Sequence, residues 1–374
     1  MAPWSPRRPR RLALAAAIAV AACALALQPA PPAPPPLRTG IAYGNTLVSM
    51  PDAELAAALD DVVSVGGGWV RADLAWRDVQ ADGPDAYRWH PFDRVVEAAR
   101  ARDLEVLPVL AYTPPWARPD GCASDKCAPA DPAAFAAFAG AAAARYAERG
   151  VHIWEIWNEP NLVRFWQPAP DPAAYAVLLR EAGRALRAAD PAARVVLGGL
   201  GAAPSGGGDI AQTEFLAEVS ERGGNRLVDA VGYHPYTYPD LTAVAGHTTA
   251  WDAVAGGPDS LEGVLAAYGT PGLPVWITET GAPTGGPGTA SDGGPAASGP
   301  AATHVTEARQ AAVAADVVRA AAADPVIGAL FWYSDRDLGT DRSTNEDFYG
   351  LRRSDGSPKP ALGALRRAIG ALRD

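Results

Sequence analysis

From residue 40 onward the sequence repeats one alternation: a short apolar run, a polar loop, then an alanine-rich segment with apolar residues at helical spacing. The apolar runs fall at 40–44, 69–74, 104–111, 152–157, 194–200, 228–234, 274–279 and 326–333. Between them, Leu55, Leu59 and Val62 share one helical face, as do Phe92, Val95, Val96 and Ala99. Asp131-Pro132 and Asp171-Pro172 each set a capping acid before a proline at the first helical position, and Asp52 is read as the cap of the first helix. Further helices are expected near 212–222, 260–268, 306–322 and 361–372. Strands that alternate with helices pair in parallel, because each crossover helix returns the chain to the same end of the sheet. Eight such units close into an α/β (β/α)8 TIM barrel, a single domain. The competing architecture is an open doubly wound sheet. It usually carries a glycine-rich phosphate loop after its first strand, and Gly40-Ile41-Ala42-Tyr43-Gly44 is not one.

The segment ahead of this pattern has a different character. Residues 1–27 read as a secretory signal: Arg7, Arg8, Arg10 and Arg11 precede an apolar run from Leu12 to Leu27. That run is shorter than the roughly 20 residues a spanning helix needs. Val20-Ala21-Ala22-Cys23 has the form of a lipobox, which would make Cys23 a lipidated N-terminus. An uncleaved membrane anchor is the third reading. Residues 28–37 form a proline-rich tether, and residues 38–374 the barrel. The expected location is extracellular or at the cell surface, either secreted or tethered to a membrane through the N-terminus. The formal net charge of −10, more negative once the leader's arginines are gone, argues against nucleic-acid binding, which depends on neutralising phosphates. A monomer is expected. Cys122 and Cys127 lie close together with no histidine nearby, so a local disulfide is favoured over a metal site. No metal and no cofactor are expected.

In a barrel of this kind the functional residues lie at the C-terminal ends of the strands. Those ends carry Arg71 on the second strand, Asn158-Glu159 on the fourth, His234-Pro235-Tyr236 on the sixth, Glu279 on the seventh and Trp332-Tyr333 on the eighth; the third leads to Trp116. Glutamates ending the fourth and seventh strands face one another across a barrel mouth. Two such carboxyls, one held protonated and one held ionised, can flank a glycosidic bond.

Trp154-Glu155-Ile156-Trp157-Asn158-Glu159-Pro160-Asn161 and Trp276-Ile277-Thr278-Glu279-Thr280-Gly281 resemble the two signature strands of the clan A retaining glycoside hydrolases. Leu107-Pro108-Val109-Leu110-Ala111-Tyr112-Thr113-Pro114-Pro115-Trp116-Ala117 and His234-Pro235-Tyr236 resemble the third and sixth strands of glycoside hydrolase family 39, with family 5 next in likeness. The resemblance implies a retaining β-glycosidase acting on an oligo- or polysaccharide. It implies Glu159 as acid/base, Glu279 as nucleophile and Asn158 as partner of the sugar 2-hydroxyl. Tyr236 would hydrogen-bond Glu279, Arg71 would keep Glu279 ionised, and His234 and Trp332 would shape the sugar subsite. With no room for the further β-sandwich of some exo-acting relatives, the expectation leans to endo-action.

Glu155 lies four residues deeper than Glu159 and is expected inside the barrel, paired with Arg71. Trp116 and Trp166 are expected to stack on sugar faces at the mouth. His90, His247 and His304 show no ligand spacing and read as surface or loop residues. Asp335, Asp337, Asp341 and Asp347 read as a solvated loop at the rim, since their spacing does not match a calcium loop. The run 281–303, rich in Gly, Pro, Ala and Ser, is expected to be a mobile loop over the site. The alternative to an enzyme is a barrel that binds carbohydrate without turning it over.

Overall fold

The computed structural model describes Met1, residues 36–293 and residues 302–373. All of the leader but Met1 and most of the tether therefore lie outside the described residues. One compact unit runs over Pro36–Asp374. Its eight parallel strands are β1 (Arg38–Ala42), β2 (Trp69–Ala75), β3 (Glu105–Ala111), β4 (Ile153–Ile156), β5 (Arg194–Gly201), β6 (Ala230–His234), β7 (Val275–Thr280) and β8 (Ile327–Tyr333). They pair in sequence order, and β1 pairs with β8 to close the barrel. The helices outside it are α1 (Asp52–Ser64), α2 (His90–Arg100), α3 (Pro132–Tyr146), α4 (Pro172–Ala189), α5 (Gln212–Glu221), α6 (Leu261–Ala267), α7 (Glu307–Ala323) and α8 (Pro360–Gly370). A one-turn helix, Trp76–Val79, sits between β2 and α2.

The caps follow the sequence with one exception. Asp131 accepts from the Ala133 amide, and Asp171 from those of Ala173 and Ala174, all at 2.9 Å. This satisfies amide groups that a helix start leaves without partners. At α1, however, Pro51 occupies the cap and Asp52 is already helical; its carboxylate turns to Arg94 instead.

Two apolar layers hold the barrel. Inside it, Ala42, Leu107, Val196, Ala230, Trp276, Ala329 and Phe331 form a small core. Outside it, alternate strand residues such as Ile41, Val70, Trp154, Ile156, Val231 and Ile277 pack under the helices in a much larger one. This alternation decides the fate of Trp332. Phe331 is an inner-core residue and Trp332 belongs to the outer one, against Leu365 and Ile369 of α8. Trp332 therefore shapes no sugar subsite, and its neighbour Tyr333 turns inward. Trp166 is likewise core rather than mouth. It is 2% exposed and edge-on to Trp157 and Tyr175, with centroids at 5.2 and 5.7 Å.

The loop after β8 is not the solvated rim its four aspartates suggested. Asp337 is buried and takes the Lys359 ammonium at 2.6 Å. Asp335 is buried beside Asp61, and burial, with Asp61 next to it, raises its carboxyl to about 8. Asp341 does stay exposed. His304, expected as a plain surface or loop residue, is buried. The described parts of the 281–303 run pack sideways on the β8 loop. The Thr284 amide donates to Phe348 O, and Asn345 Nδ2 to Thr303 O.

Candidate active site

The site is assembled around Arg71, a buried guanidinium on β2. Its Nε and Nη2 donate to the two oxygens of Glu155 at 2.7 and 3.0 Å, Nη1 to Glu279 Oε1 at 2.5 Å, and Nη2 also to Asn158 Oδ1 at 2.8 Å. Glu155 is fully buried, and the Gly199 amide completes its bonding at 2.8 Å. A charge of either sign placed here alone would carry a large desolvation cost, and the pair offsets it by geometry and by full hydrogen bonding. Burial by itself depresses the arginine, but Glu155 and Glu279 outweigh it and hold Arg71 well above its usual range. The cation is permanent.

Two strand ends leave regular alternation so that consecutive side chains reach the same space. After β4, Trp157 and Glu159 take positive φ values of 71° and 44°. Such backbone is uncommon outside glycine and costs energy, and it persists where packing over-determines it. The Glu159 amide is fixed by Gly199 O at 2.9 Å and the Trp157 indole by Phe165 O at 2.8 Å. Asn158 and Glu159 consequently both face the cavity. At the end of β7 the register with β8 shifts between Ile277 and Thr280. Thr278 then points to His234 while Glu279 turns into the cavity.

His234 joins the two glutamates. Its Nδ1 is 2.8 Å from Glu159 Oε1 and 3.8 Å from Glu279 Oε2, and its Nε2 is 3.0 Å from Thr278 Oγ1. A nitrogen shared at these distances keeps the two carboxyl oxygens less than about 7 Å apart, within the range of carboxyl pairs that cleave glycosides. The Tyr236 hydroxyl donates to Glu279 Oε2 at 2.8 Å. Burial would push Glu279 up, yet His234, Arg71 and the Tyr236 hydroxyl together hold it below the usual glutamate range. Burial and the adjacent Glu279 charge drive Tyr236 the other way, well above 10, so its hydroxyl remains a donor.

The cavity above these groups has a volume of about 390 Å³. Asn158, Glu159, Glu279 and Tyr236 line it, while Arg71 and His234 lie beneath. Trp116 is not among the lining residues. It is 36% exposed, edge-on to Trp76, and donates to Gln80 O at 2.7 Å. Several lining residues had no expected role. On the β2–β4 side these are Asp73, Arg77, Tyr112, Lys126, Arg164 and Phe165; on the β6–β8 side, Tyr238, Tyr333, Glu346 and Tyr349. Strand parity could have found two of them. Asp73 lies two residues after Arg71 on the same face, and Tyr333 two after Phe331. The others sit on loops or on single helical turns within them, where no period applies.

Lys126 is held in place by a staple. Cys122 and Cys127 form a disulfide. Thr113 Oγ1 donates to Cys127 O at 2.6 Å, and the Gln167 amide to Lys126 O at 3.0 Å. The Lys126 ammonium then lies 3.6 Å from the Tyr112 ring centroid. Across the mouth, Arg164 after β4 pairs with Glu346 after β8 at 2.9 Å.

A closed eight-stranded barrel with one glutamate ending β4, a second ending β7 and a shared histidine between them is the construction of a TIM-barrel glycoside hydrolase. The model of the cellulase family, glycosyl hydrolase family 5, matches residues 39–332, and the chain belongs to that family. A β-xylosidase of Geobacillus stearothermophilus is 40% identical over 95 residues, which are 25% of this chain and 18% of that one. Among solved structures, a family 39 glycoside hydrolase from the gut symbiont Bacteroides cellulosilyticus superposes with a TM-score of 0.67 at 23% identity. The match covers 91% of this chain and 64% of that one. A family 5 enzyme from Streptomyces cattleya, solved with GlcNAc, gives a TM-score of 0.65 at 19% identity over 91% and 81% of the two chains. The chain thus spans under two thirds of the first two of these relatives. At such identities the superpositions speak for the fold.

Proposed function

We propose that the barrel is a retaining β-glycosidase that hydrolyses O-glycosidic bonds in an oligo- or polysaccharide, with Glu279 as nucleophile and Glu159 as acid/base. The observation that carries this reading is the asymmetry of the two carboxyls. Glu279 is gripped by a permanent cation and a phenol that hold it ionised, while among the described residues the Glu159 carboxyl meets only the His234 imidazole. In the first step Glu279 attacks the anomeric carbon, the bond to the leaving oxygen breaks, and Glu159 gives that oxygen its proton. In the second, water attacks the glycosyl ester, Glu159 takes the proton back, and Glu279 is freed as a carboxylate. Asn158, oriented by Arg71, supplies the bond to the 2-hydroxyl, which strengthens in the transition state.

The test is hydrolysis of aryl β-glycosides and a polysaccharide panel by the wild type, Glu159→Gln and Glu279→Gln, with the first-formed anomer followed by NMR. Retention of configuration and loss of activity in both variants are expected. Full activity in either variant, or inversion, sinks the assignment. Turnover by the wild type separates this reading from a barrel that only binds carbohydrate. We further propose that residues 1–27 export the chain; cell fractionation that recovers it in the cytosol would overturn this.

A further inference from the structure

The cavity contains one buried carboxyl that the mechanism does not use. Asp73, near the end of β2, is 6% exposed and lines the cavity, yet none of the described residues hydrogen-bonds its carboxyl. Arg71, two residues back on the same face, spends its donors on Glu155, Glu279 and Asn158. Lys126, from the stapled loop after β3, lines the same part of the cavity. It is near enough that each group shifts the ionisation of the other, but no ion pair joins them, and the Lys126 ammonium pairs loosely with Asp125 at 3.4 Å. The Asp73 carboxyl opens onto the cavity without a side-chain partner, so it is free to bond whatever enters there. An acceptor and a cationic donor that line the same cavity suit two neighbouring hydroxyls, one donating to the carboxylate and the other accepting from the ammonium.

We propose that Asp73 and Lys126 read the free hydroxyls at ring positions 3 and 4 of the sugar seated against Glu279, so that the cavity takes the unsubstituted terminal residue of a chain. This rests on the glycosidase reading, which already assigns the anomeric carbon to Glu279 and the 2-hydroxyl to Asn158; positions 3 and 4 are what is left for the β2–β3 side. A neutral sugar fits better than an acidic one, because the cations on this wall are already matched. Arg77 and Lys126 both pair with Asp125, and Arg164 pairs with Glu346. The Arg164–Glu346 pair also joins loops from opposite sides of the barrel, which narrows the mouth against a chain passing straight through. Burial, with Glu279 and Glu155 nearby, raises Asp73 to about 6 despite Arg71 and Lys126, so the acceptor is ionised at neutral pH.

The experiment compares the best aryl β-glycoside with its 3-deoxy, 4-deoxy and 4-O-methyl analogues, using the wild type, Asp73→Asn, Asp73→Ala and Lys126→Met. The wild type is expected to lose roughly 10²-fold or more in kcat/KM on at least one deoxy analogue, because a site built around a hydroxyl rejects the molecule that lacks it. The Asp73 variants are expected to lose that much on the parent and to treat parent and analogue alike within about 3-fold. Equal losses on all four substrates would overturn the proposal, as would wild-type indifference to the 4-O-methyl group. So would a variant that moves only the acid limb of the pH profile, since Asp73 would then act on Glu279 rather than on the sugar. Calorimetric binding of the free monosaccharide and its deoxy forms gives the same comparison without turnover. A protein that binds with this preference but hydrolyses nothing fails as a glycosidase, while one that hydrolyses without the preference fails only here.

Discussion

The two walls of the cavity are built from different chemistry. The ends of β2 to β4 bring ions: Asp73, Arg77, Lys126 and Arg164 beside Asn158 and Glu159. The ends of β6 to β8 bring phenols. Tyr236, Tyr238 and Tyr349 pack face to edge and Tyr333 lies tilted against Tyr349, with centroids 5.5 to 6.5 Å apart, and the Tyr238 and Tyr349 hydroxyls meet at 2.9 Å. Burial, with Glu279 beside Tyr236 and neighbouring phenols beside both, holds Tyr236 and Tyr349 well above the usual phenol range, so these hydroxyls stay protonated around the Glu279 carboxylate. The difference teaches a division of labour. The phenolic wall offers rings and fixed donors that do not titrate near neutral pH, whereas the ionic wall offers stronger directional bonds.

The comparison breaks most completely at the floor that both walls share. Arg71→Met leaves Glu155 buried without its countercharge. It should cost about 3–5 kcal/mol of folding stability, read as a fall in the thermal midpoint. Activity should fall by at least about 10²-fold in the folded fraction, because Glu279 loses its cation.

Asp73→Asn sharpens the comparison on the ionic side. The folded state raises this carboxyl from 3.8 to about 6, so between those values the native protein binds a proton that the unfolded chain does not. Wild-type stability therefore falls as pH rises through that window. The variant should be more stable than the wild type by up to about 3 kcal/mol above pH 6, with the gain vanishing below about pH 4. Denaturant titrations at pH 4 and pH 7.5 check this; an equal difference at both would refute it. Stability gained with activity lost is the pattern expected where a binding group is held at a cost.

Tyr236→Phe tests the phenolic side and should have the smallest effect. Losing a hydrogen bond to a charged group costs about 1.5–3 kcal/mol, or roughly 10–100-fold in kcat/KM. The same bond helps keep Glu279 low, so its loss raises the carboxyl and moves the acid limb of the kcat/KM profile to higher pH. An unmoved limb would mean that Arg71 and His234 suffice.

The eight strands were legible because short apolar runs and helical faces alternate along the sequence. The two glutamates were legible because each ends one of those runs. Parity should have excluded Trp332, since Phe331 and Tyr333 share the opposite face, but a tryptophan at a barrel mouth is an attractive assignment. Trp166 was out of reach, because it lies on the loop after β4 and loops carry no period. The tandem exposure of Asn158 and Glu159 could not be read either. It depends on left-handed backbone at Trp157 and Glu159, which tertiary packing imposes on residues that do not prefer it. Asp335 and Asp337 looked like solvated loop residues by type, and their burial comes from Asp61 and Lys359, distant in sequence.

Gly199 on β5 gives no side chain to the cavity, yet its amide holds Glu155 and its carbonyl holds Glu159. A Cβ on it would overlap the His234 imidazole and crowd the Thr278 hydroxyl. For anyone recasting the specificity of this barrel by random mutagenesis, this position is a dead end, as is Gly198 before it, where a Cβ would overlap the Trp157 carbonyl. Variation belongs on the loops after β2, β3 and β8, where the walls can change while the geometry of the acid is inherited intact.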